Sequence, residues 1–293
     1  MLLTIQNHCL TLTVDTLGAQ MMHILSADST EYLWQGDPAY WADRALTLFP
    51  FIARLTKGRC KVHGTEYPME IHGFALSSEF APVSHTENAL TLELVSNAET
   101  RRQYPFDFAF RVLYRLEGNK ICVTYEVENR SAETMPFAVG GHPGFRVPLA
   151  DGERFEDYTL EFSQACAPDR VGFTEEVFLS GHDERYELED GKTIPLSHAL
   201  FDDDAIILKN MDREITLRSA VSGRGVTVRF PDMPYLGLWH WPKTDAPYVC
   251  IEPWSSLPSR QDVVEELTCK SDLVHLPAGQ TYHNCWTISV FEK

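Results

Sequence analysis

FRVLYRLEGNKICVTYEVEN, residues 110–129, decides the fold. Phe110, Val112, Tyr114 and Leu116 alternate with more polar positions, Glu117, Gly118 and Asn119 make a turn, and Ile121, Val123, Tyr125 and Val127 alternate again. A period of two on both sides of a turn is the pattern of a β-hairpin with one buried face. The same alternation returns in CLTLTV (9–14), ALTLELV (89–95), EITLRS and GVTVRF (214–230) and YHNCWTISVF (282–291), with EDGK and SGRG among the turn signals. Helical signals are few and short. SNAETRRQ (96–103) carries Ser96 or Asn97 as a cap, and SRQDVVEEL (259–267) is apolar at Val263, Val264 and Leu267. The fold class read from this is all-β, a large antiparallel β-sandwich with a few short helices. No linker composition or internal repeat interrupts the chain, so residues 1–293 are expected to form a single domain.

Composition narrows the function. Asp and Glu number 42 against 25 Lys and Arg, giving a net charge of −17. Such a chain repels phosphate backbones and anionic lipid, so nucleic acid and membrane are not expected partners. Seven cysteines are scattered without a CxxC, which fits a reducing cytoplasm better than a disulfide framework or a zinc site. The N-terminus lacks the features of a signal peptide, and no apolar run is long enough to span a bilayer. GxGxxG, P-loop, GxSxG and HExxH patterns are all missing, so neither a cofactor nor a metal is expected.

Four islands depart from strand patterning: LFPFIARLTKG (48–58), IHGFA (71–75), GGHPGF (140–145) and YVCIEPWSS (248–256). His142 stands among turn-formers, with Pro143 biasing it toward an extended conformation on a stiff piece of chain. The bland reading of His142, and of His72 before Gly73, is a histidine fixing a corner. The bland reading of Glu252 is a rim carboxylate paired with Arg54 or another arginine. Against it, Trp254 lies two residues on and, in an extended segment, points to the same side. A carboxylate beside an aromatic plate suits a sugar, and an apolar flank raises its pKa toward that of a general base. FDDDAIIL (201–208) adds Asp202, Asp203 and Asp204, whose bland reading is a solvated loop.

Taken in order, LFPFIARL, HGFA, YPFDF, NRSAETMPFAVGGHPGF, FDDDAII, PYLGLWHW and YVCIEPW resemble the aldose 1-epimerase (galactose mutarotase-like) superfamily, most closely its LacX-like bacterial branch. The resemblance covers about residues 46–254 and implies a β-sandwich with a sugar site on its concave face. It implies that His142 and Glu252 form the acid/base pair, with His72 beside them, and that Arg54 and the aspartate at 202–204, taken as Asp204, bind sugar hydroxyls. Trp254 stands where the galactose-acting branch typically has an amide residue, so the resemblance speaks to chemistry more than to substrate.

The implied reaction interconverts the α and β anomers of a free hexose without a cofactor: a base takes the anomeric proton, an acid protonates the ring oxygen, and the ring reopens and recloses. Glu252 is expected as the carboxylate base, His142 as the imidazolium acid, and His72 as a donor to the same oxygen. Arg54 and Asp204 are expected to bias Glu252. Three alternatives stay open. A hexose-6-phosphate 1-epimerase would draw cations from Arg54, Lys243, Arg260 or Lys270. A non-catalytic carbohydrate-binding protein would use Trp239, Trp241 and Trp254 as plates. A glycosidase would need a carboxylate pair, for which Asp204 and Glu252 are the candidates. The expected partner is a monosaccharide, phosphorylated or not, and the chain is expected to be cytoplasmic, as a monomer or homodimer.

Overall fold

The hairpin forms as the alternation requires. In the computed structural model, which describes residues 1–292, strands Phe108–Glu117 and Lys120–Asn129 pair antiparallel with Lys120 opposite Glu117. Every alternating apolar residue named above is buried. The hairpin lies within a nine-stranded sheet whose strands run, edge to edge, Thr193–Pro195, Tyr158–Phe162, Glu214–Ser219, Gly225–Arg229, Thr281–Phe291, Lys120–Asn129, Phe108–Glu117, Ala89–Val95 and Ala81–His85. A seven-stranded sheet runs Glu184–Arg185, Asp169–Arg170, Ile206–Lys209, Tyr235–Trp239, Tyr248–Trp254, Gly140–Arg146 and Ala45–Leu48. All of these pairings are antiparallel.

The two sheets face each other across the core. The Tyr125 hydroxyl on the larger sheet donates to the Gly140 carbonyl on the smaller at 3.1 Å. Phe49, next to strand Ala45–Leu48, stacks on Phe110 with ring centroids 4.6 Å apart. This is a sandwich held by interdigitating inward side chains.

The first helical signal is borne out over Ala98–Gln103. Asn97 is the cap, and its side chain accepts from the Glu99 and Thr100 amides. The second is not: residues 259–267 form no helix. Tertiary partners pull that segment straight. The Lys61 amide donates to Glu265 O at 2.7 Å and the Leu267 amide to Lys61 O at 2.9 Å, while the buried Glu265 carboxylate grips the Arg260 guanidinium at 2.9 Å. Bonds to a neighbouring strand replace those a helix would make within itself. No helix among the described residues is long and apolar enough to cross a membrane, and all seven cysteines are free.

Candidate active site

The GGHPGF island, read as turn-formers, lies inside strand Gly140–Arg146, between Tyr248–Trp254 and Ala45–Leu48. Its glycines answer a packing need. A Cβ on Gly141 would sit 2.6 Å from the Trp286 ring, so the smaller sheet approaches the larger only because none is there. Strand alternation then turns the next side chain, His142, to the opposite face. The register that pairs Gly140 with Trp254 and Gly144 with Cys250 sets His142 level with Glu252. Between those two pairs lie Pro143 and Pro253, neither of which has an N–H for the ladder. On the far side of Glu252 its partner is Gly237, where a Cβ would approach the glutamate Cβ to 3.1 Å.

His142 and Glu252, 110 positions apart in the sequence numbering, meet with Nε2 and Oε2 at 3.3 Å. They are 7% and 1% exposed. His142 Nδ1 and Glu252 Oε2 are buried without a good hydrogen-bond partner, so both keep capacity for something that enters. They open on a cavity of about 750 Å³ also lined by Arg54, His72, Asp204 and Trp254. Six residues singled out in the sequence therefore share one cavity, a size typical of small-molecule sites.

His72 is fixed by its backbone neighbour. Its Nδ1 accepts the Ala53 N–H at 3.1 Å, and its own N–H donates to Ala53 O at 3.1 Å. The neutral ring therefore carries its proton on Nε2, free to donate. The fit is tight, because a Cβ on Gly73, at φ +76°, would lie 2.3 Å from Phe49 O. The His72 and His142 rings meet edge-on with centroids 5.5 Å apart.

The expectations for Arg54 and Trp254 need correction. Arg54 makes no ion pair with Glu252 or any other carboxylate among the described residues; it is exposed at the cavity wall, and its charge acts on His72. Asp204, the half-buried member of its acidic run, lines the cavity, whereas Asp202 and Asp203 do not. Trp254 is not an open plate. It is 4% exposed and packs edge-on to His72 at 6.4 Å. The accessible aromatic wall is Trp41, Trp239 and Trp241, with His142 between Trp41 at 4.9 Å and Trp239 at 5.6 Å. Trp41 was not legible in the sequence. It lies in an aperiodic stretch, EYLWQGDPAYWADR, whose aromatic density was its only signal.

Burial pushes Glu252 well above the usual carboxylate range; the Trp254 indole opposes this and the Asp204 charge adds to it. Burial and the neighbouring His72 push His142 well below the usual imidazole range. His72 is pushed down to about 4, by burial and then by Arg54. The raised carboxyl matches expectation; the imidazolium does not. Both shifts favour the neutral forms of the pair, because a low-dielectric site disfavours both charges. Reaching the carboxylate–imidazolium form takes one proton hop within the pair.

The sequence profile of the aldose 1-epimerase family matches residues 1–266. Protein LacX (plasmid) of Lactococcus lactis subsp. lactis is 38% identical over 266 residues, covering 88% of each chain. A galactose mutarotase related enzyme from Lactobacillus acidophilus superposes with a TM-score of 0.94 at 34% identity, over 99% of this chain and 97% of that one. A galactose mutarotase-like protein from Lactobacillus casei gives 0.93 at 30% identity, over 99% and 100%. Sequence profile, relatives and architecture agree: this chain belongs to the aldose 1-epimerase family.

Proposed function

We propose that the protein interconverts the α and β anomers of a free hexose, with Glu252 and His142 as the proton-transferring pair. The observation that carries this reading is their 3.3 Å approach at the floor of a tryptophan-walled cavity. A hexose there offers hydroxyls to the two unpartnered polar atoms. With the proton moved to His142, the Glu252 carboxylate takes the anomeric proton and the imidazolium protonates the ring oxygen. The ring opens, C1 turns about the C1–C2 bond, and closure on the other face returns both protons. His72 donates from Nε2 to the ring oxygen, and Arg54 and Asp204 hold hydroxyls. Each acid or base contributes roughly 10²–10⁴-fold.

The cavity favours an unphosphorylated sugar. Among the described residues, Arg54 is the one Lys or Arg along its lining, against Asp43, Glu70, Asp204 and Glu252. Of the other cations considered, Arg260 is paired with Glu265, Lys270 is buried on Asp272, and Lys243 lines a neighbouring cavity. A pure binding module has no use for a buried acid next to an imidazole. Polarimetry on fresh α-glucose and α-galactose tests the reading. Native protein should accelerate mutarotation, and Glu252→Gln should lose at least 10²-fold with its circular dichroism unchanged. Undiminished rates in the variant would remove Glu252 from the chemistry.

A further inference from the structure

Cys250 lies on the same strand face as Glu252, two residues before it, and is fully buried. Its Sγ, the His142 ring nitrogen and the Glu252 carboxylate oxygen all lie within 4.8 Å of one another. We propose that these three side chains form a binding site for a thiophilic divalent cation of the zinc class, seated between the groups that would otherwise exchange a proton.

Donor set and charge point the same way. One thiolate, one imidazole and one carboxylate is the ligand chemistry of Zn²⁺ and Co²⁺, whereas Mg²⁺ and Ca²⁺ take oxygen ligands in larger number. Thiolate and carboxylate together carry two negative charges, so a dication makes the buried cluster neutral, and a neutral cluster is what a low-dielectric site tolerates. The Glu252 oxygen facing His142 is buried without a good partner, so no protein hydrogen bond is lost there. Tetrahedral bonds of about 2.0–2.3 Å put ligand atoms roughly 3.5 Å apart. The 3.3 Å nitrogen–oxygen distance already meets that, and the longest separation closes by about 1 Å. Binding releases the thiol proton and the carboxyl proton to solvent and leaves the fourth position to a water from the cavity. An ion so placed occupies both members of the pair and excludes them from proton transfer.

The test is spectroscopic and needs no turnover. Co²⁺ alone is titrated into the full chain at neutral pH. Expected are a thiolate-to-cobalt charge-transfer band in the near ultraviolet and tetrahedral d–d bands in the visible, saturating at one ion per chain and erased by Zn²⁺. Cys250→Ser should abolish the charge-transfer band, although six other cysteines, including the exposed Cys269 and Cys285, remain. Should that variant not fold, Glu252→Gln should keep the band and raise the Kd at least tenfold. Native protein without the band, a band undiminished in Cys250→Ser, or an unchanged Kd in Glu252→Gln would each overturn the site.

Discussion

At the scale of single residues, the question is where one proton resides. An exposed His–Glu pair holds a single proton between the ordinary values of about 4.3 and 6.5, as a carboxylate and an imidazolium. Here burial drives the carboxyl up and the imidazole down, so both shifts move the single proton toward the carboxyl. Mutarotation followed by polarimetry should therefore fall in acid as His142 takes a second proton and in alkali as Glu252 loses its own. An alkaline limb that does not move when Asp204 is neutralised would assign that limb to His142 and defeat this account. Asp204 supplies part of the upward push on Glu252. Asp204→Asn should shift the alkaline limb to lower pH and, with a hydroxyl contact gone, raise the KM. His142 and Glu252 were legible in the sequence as residues, but their protonation was not, because it depends on the depth of burial.

At the scale of elements, two glycines separate stability from chemistry. Gly141 faces the core, where an added Cβ meets Trp286 at 2.6 Å. Overpacking of this kind costs about 1–3 kcal/mol, so Gly141→Ala should lower the urea midpoint by a matching amount. Gly237 faces the cavity side, where the added Cβ meets Glu252 at 3.1 Å and Ile207 at 3.3 Å. Gly237→Ala should lower kcat at least tenfold through a displaced carboxylate, with a smaller loss of stability. Equal effects of the two substitutions on stability and on rate would contradict the assignment of faces. The strands at 89–95 and 214–230 and the hairpin at 110–129 were legible because half-buried strands write a period of two into the sequence. GGHPGF was set apart from the strand pattern because strands flanked on both sides and buried on both faces lose that period. SRQDVVEEL was misread as a helix because its partners, Lys61 and the buried Glu265–Arg260 pair, are set only by the assembled fold.

At the scale of the whole molecule, buried histidines couple folding to pH. His240 is fully buried against Phe155, Phe201 and Tyr248, with Nδ1 donating to Trp241 O at 2.8 Å and Nε2 3.2 Å from His198 Nδ1. Burial pushes it down to about 4. Its unfolded value is about 6.5, so below that pH the unfolded chain takes a proton that the folded chain refuses, and stability is lost as pH falls. At pH 5 the loss from His240 amounts to about 2 kcal/mol relative to pH 7, and His72 acts in the same direction. Urea unfolding at the two pH values checks this. His240→Gln should flatten the dependence by that amount, and an unchanged slope would place the acid sensitivity elsewhere.

The sequence by itself determined the strand pattern, the acidic surface charge and the residue types at the site, since these follow from local periodicity and composition. Only the tertiary structure decided that His142, Cys250 and Glu252 share one buried cluster, that Trp41 joins Trp239 and Trp241 in the accessible wall while Trp254 lies buried, and that the Arg54 charge acts on His72. The physical reason is that strand register and sheet-on-sheet packing, which no local window of sequence contains, set distance, burial and dielectric, and through them where a proton or a metal ion can reside.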